Sequence, residues 1–298
     1  MQLNSEIVTT PPRASATVVL LRDAPQKGLE VFLLRRHTAS AVLGGAYVFP
    51  GGKLDDADCA PAVHAHLDVE PLALHRALGE PELPVATAAG LYVAAVREAL
   101  EECGVLFAHA NPGGEVHSAA LRQQWQQQLH TGAVFADVLH AADVRVDTQH
   151  LAPWSRWITP VQPSVTNKRF DTRFFVAVLP ADQVPKHDDI EAIDSVWLSP
   201  LEALTRYWAN EVPLAPPQIM TLVSLLPHRY TASVLKAAQQ QTPPLILPEP
   251  FDDDAGVRTL CYPGDPRHSV AQRAMPGPTR LRFVAGRFEP VHGFEEFL

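Results

Sequence analysis

One stretch constrains this chain more than any other: Arg97-Glu98-Ala99-Leu100-Glu101-Glu102-Cys103-Gly104-Val105. Four charged side chains fall within six residues, in a sequence that is only 19% charged. At about 100° per residue, Glu98, Glu101 and Glu102 share an arc of roughly 100° on an α-helix. Val96, Ala99, Leu100 and Cys103 lie opposite them. A helix over 91–103 is therefore expected, with one face on a core and the other presenting three carboxylates. Gly104 suits the left-handed residue that closes such a helix. Like charges one turn apart destabilise a helix by about 0.2–0.5 kcal/mol per pair. Either the acidic face is simply solvated, or a cation offsets the repulsion. Mg²⁺ and Mn²⁺ take oxygen ligands, bind clustered carboxylates, bridge phosphate oxygens and activate water.

Upstream, Gly45-Ala46-Tyr47-Val48-Phe49-Pro50-Gly51-Gly52-Lys53-Leu54-Asp55 brackets an apolar run with glycines, which let a backbone turn sharply and approach a ligand closely. No G-K-S/T follows, so this is not a Walker-type phosphate loop. Taken together, the two stretches resemble the Nudix hydrolase family, whose box reads G-x5-E-x7-R-E-U-x-E-E-x-G-U, with U aliphatic. Gly52 matches the opening glycine, and Arg97, Glu98, Glu101, Glu102, Gly104 and Val105 match the closing half. The aliphatic position after Arg-Glu is only Ala99, and Asp58 stands where the family has its first glutamate. Residues 59–96 then precede Arg97, 38 residues where the pattern has 7, so about 31 are inserted. A branch of the family similar to the peroxisomal coenzyme A diphosphatase of mammals has such a split box.

That resemblance implies an α/β/α sandwich with a mixed sheet, where the residue pattern alone supports only α/β or α+β. It implies a Nudix hydrolase domain over 13–208, an insertion at 55–88 within the box, and a C-terminal helical and short-strand extension over 209–298. It further implies metal-dependent hydrolysis of a pyrophosphate bond in a nucleoside-diphosphate-linked substrate. The metal ligands would be Glu98, Glu101, Glu102 and Glu191, the last in the loop before a final strand, where a solvated charge is the alternative. Glu98, Arg97 and Glu101 would be catalytic, with Glu98 the first choice of base and Arg97 holding a carboxylate through a two-pronged ion pair. Gly51, Gly52, Arg36 and Arg169 would meet substrate. Arg36, with Arg35 and His37, faces either solvent or an anion, and Arg169 either meets a phosphate or pairs with Asp171. Coenzyme A or an acyl-coenzyme A is the first substrate, and ADP-ribose or NADH the alternative. A coenzyme A pattern in other family members has an arginine where this chain has Ala41. A non-catalytic Nudix-fold binding module is the rival class.

Composition narrows the partners. The net charge of −9, from 24 basic against 33 acidic residues, argues against a general nucleic-acid or membrane-surface binder. A phosphorylated small molecule is compatible with it, because a bound Mg²⁺ or Mn²⁺ supplies local positive charge. Cys59, Cys103 and Cys261 form neither a zinc pattern nor a disulfide framework. His64, His66 and His75 lack the paired spacing of a zinc site. No leader-like segment, membrane-length apolar run or C-terminal S-K-L is present, and a cytoplasmic location is the expectation.

Along the chain, residues 1–13 read as a loose arm, 14–22 and 29–35 as a strand hairpin, and 63–78 as one helix of a surface insertion ended by Pro81 and Pro84. Helices are expected over 118–130 and 134–141, and strands over 153–160, 170–179 and 195–198. Further helices should cover 200–208, 216–226 and 231–240, followed by short strands over 256–290. The tail is expected to pack on the main domain or on a second subunit, the latter making a homodimer.

Overall fold

The computed structural model describes all residues except 1–2, 5, 41 and 112–117. The chain opens with β1 (Arg13–Ala24), β2 (Gly28–Arg36), β3 (Tyr47–Val48) and β4 (Gly51–Lys53). Two short helices, α1 (Pro61–His64) and α2 (Pro71–Leu78), precede the long α3 (Val85–Cys103). Then come β5 (Ala108–Ala110), α4 (Ala119–His130), α5 (Phe135–Ala142), β6 (Val144–Val146), β7 (Leu151–Ile158), β8 (Phe170–Val178) and β9 (Ala192–Leu198). The chain finishes with α6 (Pro200–Trp208), α7 (Pro216–Leu225), α8 (Thr231–Gln240), β10 (Leu245–Ile246), β11 (Glu249–Asp252), β12 (Arg258–Cys261), β13 (Arg280–Val284) and β14 (Arg287–Glu289).

β1 is the hub of a mixed sheet ordered β10-β7-β8-β1-β2-β3, with β4 also on β1 and β9 also on β2. It runs parallel to β8 from Arg13↔Phe170 to Leu21↔Val178. Its other edge is shared: β2 pairs with Leu21 to Ala24, and β4 pairs with Ser15 to Thr17. Side chains alternate along it as a strand requires. Ala16, Val18 and Leu20 join the core under α3, and Val19 and Leu21 join the core on the opposite face. The first layer holds α1 to α5. The second holds α6 to α8 and the four-stranded sheet β11-β12-β13-β14, so the segment after residue 208 packs on this chain's own sheet. The result is an α/β fold with a mixed sheet between two covering layers.

The central helix is longer than periodicity predicts, starting at Val85 rather than residue 91. Pro84 sits at its N-cap, and the 86–90 segment carries three alanines, the best helix formers, without any amphipathic stripe. The apolar run that follows belongs in a core, and Ala88 to Val96 are all buried. Gly104 closes the helix at φ 69°.

The insertion differs most from expectation. Residues 63–78 form two short helices, not one, and they are no surface excursion. Val63, Leu67, Leu74 and Leu78 are buried in the α3 core. Leu67 bridges Val146, and Asp68 accepts hydrogen bonds from the backbone N–H and the hydroxyl of Thr148. Pro71 at the start of α2 breaks a periodicity that otherwise reads continuously. The arm before β1 is tied down as well: Asn4 donates through its amide to the carbonyls of Pro163 and Thr166, and Val8 N–H donates to Val161.

Candidate active site

The site is built where β4 meets the last turns of α3. Gly51 lies so close to β1 that a Cβ there would stand 2.4 Å from the Ala16 carbonyl oxygen, and one on Gly52 would stand 2.3 Å from Glu98 Oε1. Only glycines allow this approach. In return the Gly51 N–H donates to Glu102 Oε2 at 2.9 Å. The loop and the helix are thereby locked together at two carboxylates.

Arg97 organises the rest. It is buried, and its Nε and Nη2 donate to the two oxygens of Asp58, each at 2.9 Å. Nη2 also donates to the Lys53 carbonyl at 3.0 Å. Nη1 reaches Glu98 Oε1 at 2.9 Å and Glu101 Oε2 at 3.2 Å. The planar fork of an arginine suits this geometry, which a lysine would not reproduce. Asp58 is only 2% exposed, held in turn by the Asp55 N–H at 2.9 Å. Although residues 59–96 separate Asp58 from Arg97 in sequence, the fold brings them into direct contact.

Arg36, at the end of β2, supplies the second guanidinium. Its Nη1 is 3.8 Å from Glu102 Oε1 and its Nη2 is 3.5 Å from Glu191 Oε2. Glu191 itself is exposed and is held by its carbonyl, which accepts from the His37 N–H. The five named acids, Asp58, Glu98, Glu101, Glu102 and Glu191, thus face two guanidiniums, with the Lys53–Asp55 ion pair at the edge. Burial disfavours the charged form of three of these acids. It pushes the Glu98 carboxyl up to about 7, helped by Glu101 and Glu191 and opposed by Arg97. The Glu102 carboxyl is raised well above its ordinary range by burial and by Glu98, and Glu101 is raised by burial. These groups are short of positive charge.

By its chemistry the donor set fits a hard divalent cation: oxygen ligands only, anionic and shielded. The acids are not gathered as a finished cage, and among the described residues no three His, Cys, Asp or Glu stand together as metal ligands. Arg97 Nη1 lies on both Glu98 and Glu101, and Gly51 on Glu102, so these bonds would have to rearrange for the three glutamates to hold a cation.

Arg169 is not part of this constellation. It donates to the carbonyls of Thr159 and Thr10, and Asp171 pairs instead with Arg156 and Arg173. Ala41 lies outside the described residues. His64 Nε2 is hydrogen-bonded to the Asp58 carbonyl, and His66 Nδ1 to that of Val144. Sequence reasoning missed Gln126, whose amide donates to the Glu101 carbonyl at 2.8 Å and steadies the end of α3 from α4. Nothing in a glutamine-rich helix marks that one residue.

The family profile described as the NUDT19 Nudix domain matches residues 10–225, which contain every residue of the cluster. The chain belongs to the Nudix hydrolase family. It is 28% identical to the acyl-coenzyme A diphosphatase NUDT19 of Gallus gallus, over 72% of this chain and 68% of that protein. Its human counterpart is 29% identical over 66% of this chain and 60% of its own length. For the Xenopus laevis protein the figures are 27%, 66% and 59%. This Nudix chain thus spans about three fifths of the length of the frog and human relatives. A crystal structure of a Nudix hydrolase from Alicyclobacillus acidocaldarius superposes with a TM-score of 0.62 at 26% identity, over 79% of this chain and 99% of that one. Among the described residues no helix is long and apolar enough to cross a membrane.

Proposed function

We propose that this chain hydrolyses the pyrophosphate bond of a nucleoside-diphosphate-linked substrate, and that the substrate is coenzyme A or an acyl-coenzyme A. One observation carries the hydrolytic reading: a buried, charge-deficient carboxylate cluster keyed to a glycine loop by the Gly51–Glu102 hydrogen bond. The acyl-coenzyme A diphosphatases among its relatives support the substrate. Glu98, Glu101 and Glu102, with Glu191 at the rim, would hold Mg²⁺ or Mn²⁺. Such an ion, when bound, neutralises charge on the pyrophosphate oxygens and lowers the pKa of a water.

The chain's own residues do the rest. Water attacks one phosphorus, the bond from that phosphorus to the bridging oxygen breaks, and Glu98 takes the water's proton. Arg97 Nη1 holds Glu98 Oε1 at 2.9 Å and so orients the carboxylate for that task. Arg97 is a positioning residue, holding Asp58, Glu98 and Glu101 rather than meeting substrate. Arg36, at the cluster's edge, offers its guanidinium to a substrate phosphate. With coenzyme A the products are 3′,5′-ADP and 4′-phosphopantetheine. The test is kcat/KM for coenzyme A, acetyl-coenzyme A, NADH and ADP-ribose under one metal condition, with products identified by mass. Preference for a dinucleotide or ADP-ribose by about 10-fold or more, roughly 1.4 kcal/mol, overturns the coenzyme A reading and keeps the pyrophosphatase. No pyrophosphate cleavage in the panel overturns both and favours a binding module.

A further inference from the structure

We infer that Asp188 is a positioning residue of the hydrolytic site, fixing the peptide that carries Glu191 so that this carboxylate stays beside the acids of α3. The inference rests on the proposed metal-dependent hydrolysis, in which Glu191 is the ligand at the rim. Glu191 lies in the loop between β8 and β9, and its side chain is 59% exposed. Its carboxylate meets Arg36 Nη2 at 3.5 Å. It is nonetheless near enough to add to the charge that raises the Glu98 and Glu102 carboxyls. Like charges disfavour one another, so an exposed carboxylate in this place gains by swinging away into water. What keeps it here is the backbone, and Asp188 is the side chain that holds that backbone.

The surroundings of Asp188 are the reverse of those of Glu191. Its side chain is 1% exposed. Oδ1 accepts from the N–H groups of Ile190, Glu191 and Ala192, each at 3.0 Å, and Oδ2 accepts from the Glu191 N–H at 3.2 Å. Oδ2 also stands 3.5 Å from His130 Nε2, at the end of α4. The same helix steadies the Glu101 carbonyl through Gln126, so the rim and the cluster are referred to one element. On its other side, the Glu191 carbonyl accepts from the His37 N–H at 2.8 Å, next to Arg36. The backbone of Glu191 is thus bonded at both N–H and C=O, while its side chain makes one long ion pair. The entry into β9 is shaped to match. Asp189 takes a left-handed φ of 62°. Asp194 pairs with Arg35 and Ala192 with Arg36, so Ile193 is an extra residue in the strand. Bulges of this kind re-aim side chains at sheet ends beside active sites. A turn that only joined β8 to β9 would gain nothing from an acid at this point, where it adds to a buried excess of like charge.

The test is calorimetric titration of Mn²⁺ into the full chain, with backbone hydrogen exchange at 190–192 as a second readout. Glu191→Gln, Asp188→Ala, Asp188→Asn and the double variant Asp188→Ala/Glu191→Gln are compared with the unsubstituted chain. Glu191→Gln should weaken Mn²⁺ binding by about 10-fold, and Asp188→Ala by a similar factor, the usual scale for a group that orients a ligand. The double variant should bind no more weakly than either single one, because both act through one carboxylate. Asp188→Asn keeps an amide oxygen as acceptor and should bind like the unsubstituted chain. Exchange at 190–192 should rise in Asp188→Ala and stay unchanged in Asp188→Asn and Glu191→Gln. If Asp188→Ala does not fold, Asp188→Ser, whose hydroxyl makes such turn bonds more weakly, takes its place. Additive losses in the double variant, unchanged Mn²⁺ binding in Asp188→Ala, or no rescue by Asp188→Asn would each overturn the inference. So would unchanged Mn²⁺ binding in Glu191→Gln, since no ligand would then need positioning. Cleavage of coenzyme A by the unsubstituted chain is scored separately. Cleavage alongside any of these failures leaves the pyrophosphatase reading standing, and coupled Mn²⁺ losses without cleavage refute that reading and sustain the pairing of Asp188 with Glu191.

Discussion

Two arginine–carboxylate networks flank α3, and they differ in one respect. Just ahead of the helix, Glu80 and Asp171 meet Arg173 and Arg156 in a closed square. Arg173 Nη2 is 2.6 Å and Arg156 Nη1 2.8 Å from Glu80 Oε2, and Arg156 grips Asp171 with two bonds of 2.8 Å. Two acids face two bases, with exposed Glu82 at the edge. In the last turns of the helix, five acids face Arg97 and Arg36. The balanced network satisfies itself and pins the insertion to the sheet. The unbalanced one leaves its acids in excess of the guanidiniums that face them. An ion pair that closes on itself serves the fold, whereas a buried excess of one sign marks a site.

The comparison is best tested by treating the two networks alike and observing different losses. The largest effect is expected from replacing residues 59–86 with a short Gly/Ser linker. That change removes Glu80 together with Val63, Leu67, Leu74 and Leu78 from the core. At about 1.5–3 kcal/mol for each buried apolar side chain, the loss rivals the whole stability of an ordinary domain, about 5–15 kcal/mol. Insoluble or non-cooperatively melting protein is expected. A soluble variant with a sharp transition would show that the insertion is an appendage after all.

Next comes Glu80→Gln, which leaves two guanidiniums with one carboxylate. Breaking a buried pair costs about 3–5 kcal/mol, read as a lower denaturant midpoint, while turnover per folded molecule should change only a few-fold. Glu102→Gln should invert that pattern. Turnover should fall by at least about 10²-fold, near 2.7 kcal/mol of transition-state stabilisation. Stability should hold or rise, because a buried like charge is removed. If both variants lost stability and neither lost turnover selectively, the distinction between the networks would collapse.

Much of the molecule is legible in the sequence, for reasons that can be named. The helix carrying Glu98, Glu101 and Glu102 declares itself because its charges are local and periodic. The long strands β1, β2 and β8 do so because their apolar runs are continuous, whereas the short β3, β4 and β10 carry no such run. The Gly51–Gly52 loop is legible as a motif, but its reason is not: each glycine makes room for a group distant in sequence, β1 in one case and Glu98 in the other. For Arg169 the R-F-D-T segment suggests a phosphate contact, with Asp171 as the alternative partner, whereas its guanidinium donates to the carbonyls of Thr159 and Thr10 and Asp171 pairs elsewhere. The insertion misleads because its prolines and histidines look like surface, while its four buried apolar side chains are spread over α1, α2 and the turn between them.

The central claim is that the carboxylate cluster of α3 is completed by an external divalent cation. Its most direct test is isothermal titration of Mn²⁺ into chelator-stripped protein, followed by the same titration into Glu102→Gln and Glu80→Gln and by turnover in excess chelator. Saturable Mn²⁺ binding in the unsubstituted chain and in Glu80→Gln is predicted, with binding weakened by about 10-fold or more in Glu102→Gln. Turnover should vanish in chelator and return with Mg²⁺ or Mn²⁺. Full turnover in excess chelator, or Mn²⁺ binding that Glu102→Gln leaves untouched, would contradict the account.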